Sequence, residues 1–262
     1  MSVIKNFSLI VCCLLLMTAC SNDDSFVIDS DINSEFVNPM AYIGDIHNQG
    51  LDSISVNYIS LDSICAYSFT FVEDRFPEIP TPNSQMKEVS INALSIAKRI
   101  GIECCESYTT RGVSESVTAD SVFQEIPPQC KHYVEGIMDI INSNETDSTK
   151  IADKFDKINI AINNASDLSD EDKNGLWSCS AIAFSSYMYN LTSISTRAVT
   201  AEGVVKADFA SAVGGFLCWK FWGKTATGLM FGPQGAVIAA TKEIVRSAIV
   251  GSAIHVVSAG HL

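Results

Sequence analysis

Apolar residues recur at three- and four-residue steps along much of this chain. Met40, Ile43, His47, Leu51, Ile54 and Tyr58 form the first such stripe, which is one face of a helix. Pro39 stands where a helix can open, since its missing N–H is not needed at the first helical position. Gly44 and Gly50 each weaken a helix by about 1 kcal/mol relative to Ala. Their presence predicts a closely packed neighbour, or a break near Gly50. Ala66 to Val72 has strand-like composition, but no partner strand follows, so 63–73 reads as helix by context. Pro77, Pro80 and Pro82 then make a loop. Asn83 or Ser84 caps the next helix, whose buried stripe is Met86, Val89, Ala93, Ile96 or Ala97, and Ile100. Gly101 stands at its expected C-terminal cap. Residues 103–126 read as irregular.

A helix is expected from about Gln129 to Ile141, with Tyr133, Val134, Ile137 and Ile141 inward. The clearest pair comes next. Ile151, Phe155, Ile158, Ile162 and Ala165 step by four, three, four and three. Ser169-Asp170-Glu171-Asp172 looks like a capping box, a serine followed three residues on by an acid. Leu176, Ser180, Ala183 or Phe184, Tyr187 and Leu191 continue one face. The short turn at 166–169 predicts antiparallel neighbours.

The pattern changes after the Ser/Thr-rich stretch 192–200. Nine of the 15 glycines lie from Gly203 onward, which predicts a separate unit. Ala207, Ser211 and Gly215 are small residues at four-residue steps, as are Gly232, Ala236 and Ala240, and Ser247 and Gly251. Such spacing lets helix backbones approach closely. The uncharged run 225–241 is barely long enough to span a bilayer, and Pro233 interrupts it. Glu243 and Arg246, three apart, can pair. The expected fold is all-α: an irregular helical bundle over 39–193 with a C-terminal Gly/Ala-rich helical hairpin over 203–259.

The first apolar run is different in kind. Phe7 to Met17 follows the lone charge of Lys5, and Leu16-Met17-Thr18-Ala19 sets small residues before Cys20. The run is short for a membrane span of about 20 residues. It resembles a bacterial lipoprotein signal with its lipobox. The resemblance implies a signal peptide over 1–19, cleavage before Cys20 and lipidation of that cysteine. Residues 20–38 are polar and acidic and read as a flexible tether. Ser21-Asn22-Asp23-Asp24 resembles the surface-export signal of Bacteroidales lipoproteins. It implies the cell surface of an outer membrane; the alternative is its periplasmic leaflet.

Removing Lys5 from the 17 basic residues leaves 16 against 30 acidic ones, a net charge of −14 for the mature chain. Such a chain is a poor partner for nucleic acid, which needs clustered Lys and Arg. Without Cys12, Cys13 and Cys20, six cysteines remain. Cys65, Cys104, Cys105, Cys130, Cys179 and Cys218 are candidates for disulfides in an exported protein. Adjacent Cys104 and Cys105 do not suit each other, since their Cα atoms are only about 3.8 Å apart.

Candidate chemistry is sparse. His47 with Asn48 and Asp52 is the one constellation that invites a polar site. An acid five residues on does not share the helix face of His47 well, so a buried histidine bonded to a neighbour is the simpler reading. Cys130 and His132 would give two metal ligands, but no second pair lies at metal-site spacing, and no metal is expected. No Ser/His/Asp spacing, phosphate loop or paired CxxC is present. Neither catalysis nor a cofactor is therefore expected. Trp219, Phe221 and Trp222 between Lys220 and Lys224 suit a membrane interface or an amphipathic helix on the bundle.

The acid-rich turn and Ala/Ser/Tyr helix around Ser166 to Tyr187 precede Val204-Val205-Lys206-Ala207-Asp208 and a Gly/Ala-rich tail. Together with Gly44-Asp45-Ile46-His47-Asn48 and Leu51-Asp52, this resembles uncharacterised Bacteroidales lipoproteins with a glycine-rich, bacteriocin-like C-terminal segment. The bulky Phe216 to Trp222 stretch departs from that pattern. The expectation is a lipid-anchored cell-envelope protein in a non-catalytic binding or structural role. The alternative is a membrane-active or oligomerising protein acting through small-residue faces of its tail. Its partners would be the membrane, through the Cys20 lipid, and a protein or second copy on those faces.

Overall fold

The computed structural model describes residues 36–57, 60–78, 84–106, 119–193, 201–220 and 232–258. Cys20, the lipobox and most of the expected tether lie outside them. Among the described residues there are nine helices and no strand, so the all-α expectation holds. They are α1 (Tyr42–Asn57), α2 (Leu61–Arg75), α3 (Ser84–Glu106), α4 (Ala119–Gln124), α5 (Pro128–Asn142), α6 (Ser148–Asn164), α7 (Asp170–Ser193), α8 (Ala201–Cys218) and α9 (Gly232–Ser258).

The helix ends follow from local chemistry. Ser60 caps α2, its hydroxyl accepting from the Ser63 N–H while Ser63 reaches back to the Ser60 N–H. Pro128 occupies the first turn of α5. That helix ends where Asn144 takes a left-handed φ of 49°, which Asn tolerates better than most residues. Asp147 caps α6 by accepting from Thr149 and Lys150 N–H. Ser169 accepts from the Asp172 N–H at 3.1 Å to start α7.

Two expectations need correcting: the cap at Gly101, and the irregular reading of 103–126, which holds the end of α3 and all of α4. Gly101 does not end its helix: α3 runs on to Glu106. A cost near 1 kcal/mol for one glycine is small beside the packing of α3 against both α8 and α9. Of the two outcomes expected at Gly50, a break or a closely packed neighbour, the second holds, and α1 runs through unbroken. It lets a neighbour in, since a Cβ there would lie 2.5 Å from Ile249 Cδ1. Gly44 does the same for α7, at 2.5 Å from Ser185 Cβ and 2.6 Å from the Ala181 carbonyl oxygen.

The predicted pair α6 and α7 is antiparallel. Lys173 Nζ reaches the Asn163 carbonyl at 2.7 Å, Trp177 donates to the Asn159 carbonyl at 3.2 Å, and Phe155 meets Phe184 at 5.3 Å. The α6 stripe Ile151, Phe155, Ile158 and Ile162 is buried as expected. In α7, by contrast, every residue from Gly175 to Ala183 is buried. It packs on α1, α5, α6, α8 and α9 at once.

The main surprise is where the Gly/Ala-rich helices sit. They occupy the interior of the bundle. α9 packs on α1, α2, α3, α7 and α8, and α8 on α3, α4, α5, α7 and α9. The two run antiparallel: Gly215 faces Glu243 and Ser247, while Gly251 faces Ser211 and Ala207. Phe209, Phe216 and Trp219 from α8 and its continuation are fully buried, as are Ile244, Val245 and Ile249 from α9. Each such large side chain contributes about 1.5–3 kcal/mol of burial. The bundle over 39–193 and the hairpin over 203–259 thus belong to the same compact unit, Glu35–Leu262.

The start of this unit is pinned. Asn38 donates to the Trp177 carbonyl at 3.0 Å and Phe36 meets the Trp177 ring at 5.6 Å. Phe36 to Asn38, expected as the end of the tether, are therefore held on the bundle.

Candidate functional site

Three polar clusters tie the hairpin to the helices around it. The first is built on His47, which α1 directs inward with Ile43 and Ile54. Its Nε2 lies 3.3 Å from Asp208 Oδ1 of α8, and both side chains have no exposure. The other Asp208 oxygen accepts from Ser186 of α7. Asn190 donates to the Ser186 carbonyl at 2.8 Å, which holds that turn of α7. On the other side of the ring, Nδ1 lies 3.1 Å from Asn48 Oδ1. Asn48 in turn donates to the Ser185 carbonyl and hydroxyl, both at 3.2 Å.

Of the expected trio, the structure brings together His47 and Asn48 and leaves Asp52 out. Asp52 is exposed and accepts from the Tyr189 hydroxyl at 2.6 Å. The cause is the helical turn: five residues from His47 places Asp52 away from the buried face. Asp208 and Ser186 complete the cluster, and the sequence reading assigned neither to it. The available signal was Asp208, the one charge in the stretch Ala207 to Trp219.

Serine, aspartate and histidine meet here, but in the wrong order for nucleophilic catalysis. Ser186 donates to Asp208, so the histidine does not activate it. All three are buried, without exposure to a substrate. The arrangement holds helices together.

The second cluster lies between α2, α3 and α9. Lys242 donates to Glu73 Oε2 at 2.7 Å and Arg246 to Glu73 Oε1 at 3.0 Å. Arg246 also donates to Glu243 at 2.6 Å and to the Ser90 hydroxyl at 2.8 Å, and Ser90 donates to Glu243 at 2.6 Å. The guanidinium stacks 4.5 Å from the centre of the Phe69 ring. The expected Glu243–Arg246 pair is thus real, but it is internal and extended. Two carboxylates and two cations make the set neutral. Burial pulls the Lys242 ammonium down, and Glu73 only partly restores it.

The third cluster joins Asp172 of α7, Lys220 after α8, and Cys130 of α5. Lys220 pairs with Asp172, and Ser169 donates to it at 2.9 Å. Burial pushes the Asp172 carboxyl up. Hydrogen bonds from Lys220, Ser169 and Gln129, with the Lys220 charge, more than offset this and leave it below the usual range.

Cys65, Cys130, Cys179 and Cys218 are free thiols in the structure. Cys104 and Cys105 lie outside the residues whose side chains are described. Burial, then the Asp172 charge, pushes Cys130 up to about 12. Burial, then the Glu243 charge, pushes Cys218 up to about 12. Burial also raises Cys179, and half-burial raises Cys65. None of these is an activated nucleophile. Cys130 is buried while His132 is exposed, so the two do not converge. Among the described residues no group of three His, Cys, Asp or Glu is placed to hold a metal ion. Trp219 is fully buried; Phe221 and Trp222 lie outside the described residues. No helix among the described residues is long and apolar enough to cross a membrane.

No family model matches this chain, and neither a curated protein nor a solved structure does.

Proposed function

We propose that this chain is a lipid-anchored protein of the cell envelope, held through acylated Cys20 at the cell surface, with a non-catalytic binding or structural role. The observation that carries the reading is the sequence Leu16 to Cys20 after an apolar run, followed by Ser21-Asn22-Asp23-Asp24. The clusters described above support the non-catalytic part, because His47 pairs with Asp208, and Lys242 and Arg246 with Glu73, each across two helices.

The same proposal gives the hairpin a structural task. A membrane-active tail, or self-association on its small-residue faces, requires those faces to be available. Gly215 is instead closed by the Glu243 carbonyl and Ser247, and Gly251 by Ser211. The surfaces left for a partner are those of the outer helices.

The test is labelling with a clickable fatty acid, followed by protease shaving of intact cells, on the wild-type chain and on Cys20→Ala. The expected result is lipid on the wild type alone and loss of the shaved band with the variant. Equal labelling of both would remove the anchor. Turnover of a substrate by the purified protein, lost on changing His47 or Asp208, would remove the non-catalytic role.

A further inference from the structure

The cations of this acidic chain differ in what surrounds them. On α5 to α9 every described lysine and arginine meets an oxygen. Lys131, Lys150, Lys157 and Lys206 pair with Glu135, Glu145, Asp153 and Glu202. Lys154 donates to the Ser143 hydroxyl and Lys173 to the Asn163 carbonyl. Lys220 meets Asp172, and Lys242 and Arg246 meet Glu73. On α3 the pattern is reversed. Among the described residues no ion pair or hydrogen bond engages Lys87, Lys98 or Arg99.

Helical spacing gathers these cations around an apolar centre. Lys87, Ile91, Leu94 and Lys98 step by four, three and four, which places them on one face of α3. The opposite face holds the buried Val89, Ala93, Ala97 and Ile100. Ile91 is 58% exposed, an unusual position for an isoleucine, and Leu94 beside it is half-buried. Lys87 and Arg99 are exposed and Lys98 is half-buried. From Lys87 to Arg99 the three cations stand against a single acid, Glu88. The two lysines bracket Ile91 over about 16 Å of helix.

We infer that this face of α3 docks on a lipid surface whose headgroups carry anionic phosphate. Lysine stems lie along apolar surface while their ammonium groups reach for phosphate, and an apolar side chain between them enters the boundary of the acyl chains. The rest of the chain is strongly acidic, so such a surface repels its other faces. At physiological salt charges are screened beyond about 8 Å, so the stripe acts on the headgroups it touches while the acidic faces stand off. The stripe thus sets which side of the domain turns to the membrane. The inference rests on the lipid-anchored reading in one respect. Of the anionic surfaces that could meet these cations, a membrane is the one that the Cys20 lipid holds beside the domain.

The experiment uses the full chain carrying Cys20→Ala as parent, so that no acyl group contributes and the outcome is separate from that of the anchor. Co-sedimentation is measured with vesicles of phosphatidylcholine alone and of phosphatidylcholine mixed with phosphatidylglycerol. The apolar run Phe7 to Met17 can bind both, so the ratio between them is read. The parent is expected to prefer the phosphatidylglycerol vesicles, and added salt to weaken the preference. Lys87→Gln with Lys98→Gln is expected to lower the ratio about fivefold for each lysine removed. Lys131→Gln with Lys157→Gln, which removes paired lysines of α5 and α6, is expected to leave it unchanged. None of the four side chains is buried, and circular dichroism checks that the variants fold. An unchanged ratio for the Lys87 and Lys98 variant, or an equal fall in both variants, overturns the docking. No preference in the parent also overturns it, and leaves the stripe to an acidic protein. A dimer that forms without vesicles and is lost in the Lys87 and Lys98 variant overturns it in favour of a second copy.

Discussion

The Arg246 guanidinium donates to Glu73 at 3.0 Å from inside the bundle, with no exposure of its own. One end of this pair is on the outer helix α2, and the other is on the central helix α9. It shows how a tail rich in small residues carries charge in the interior: each charge is met by a partner on a helix that wraps it.

Breaking that arrangement on one side has a predictable cost. Arg246→Met leaves Glu243 buried without the cation that hydrogen-bonds it, and is expected to destabilise the fold by about 3–5 kcal/mol in urea titration. Adding Glu243→Leu removes the stranded charge. The double variant is expected to be more stable than Arg246→Met alone, because a neutral apolar pair avoids the desolvation cost.

The glycines differ in what an added methyl would meet. At Gly215 a Cβ would lie 2.7 Å from the Glu243 carbonyl oxygen and 3.0 Å from Ile244 Cα, both backbone. Gly215→Ala is expected to cost about 1–3 kcal/mol, despite a helix-propensity gain near 1. At Gly136 the neighbour is Ile158 Cδ1 at 2.7 Å, the far end of a side chain that can turn aside. Gly136→Ala is expected to lie within about 1 kcal/mol of the wild type. Thermal melts of the two variants check the order.

Acid should act through Asp172. Its folded carboxyl lies below its usual range, so it contributes stability above the ordinary value of ~3.9 that is lost as pH falls below it. Lys220→Met removes one of the groups that lower it, the one that acts through both a hydrogen bond and its charge. The variant is expected to be less stable at pH 6 and to lose less than the wild type between pH 6 and 3, by denaturant titration at each pH.

Thiol chemistry should report folding. At pH 8 a thiol raised to about 12 is ionised in only about one molecule in 10,000. In native protein Cys130, Cys179 and Cys218 are expected to resist iodoacetamide, while half-buried Cys65 reacts first. All four should react in denaturant without reductant. Peptide mass spectrometry reads both states, and a thiol that stays blocked until reduced would identify a disulfide.

Much of the fold was legible from local pattern. The α6 stripe and the Ser169 start of α7 rest on interactions within four residues, which the sequence displays directly. The reading failed where surroundings override local preference. Gly101 sits within a helix because α8 and α9 pack against that helix. α7 was read as having one inward face, Leu176 to Leu191, but it is buried on every side from Gly175 to Ala183 because five helices wrap it.

The candidate site divides in the same way. His47 and Asn48 were visible as a polar break in an apolar stripe. Asp52 was offered as their acid by nearness in sequence, and the turn of the helix sends it to the surface. The acid that meets His47 is Asp208, on a helix that no local rule pairs with α1.

By itself the sequence determined the helical class, the starts of α3, α5 and α7, and the small-residue seams that let α8 and α9 approach. These depend on periodicity and on hydrogen bonds within a turn. Only the tertiary structure decided that those two helices are the core rather than an appendage, and which charge meets which. A helix buried on every side shows no amphipathic face. A buried ion pair is selected by the cost of leaving either partner alone, and that cost exists only once the helices have closed around it.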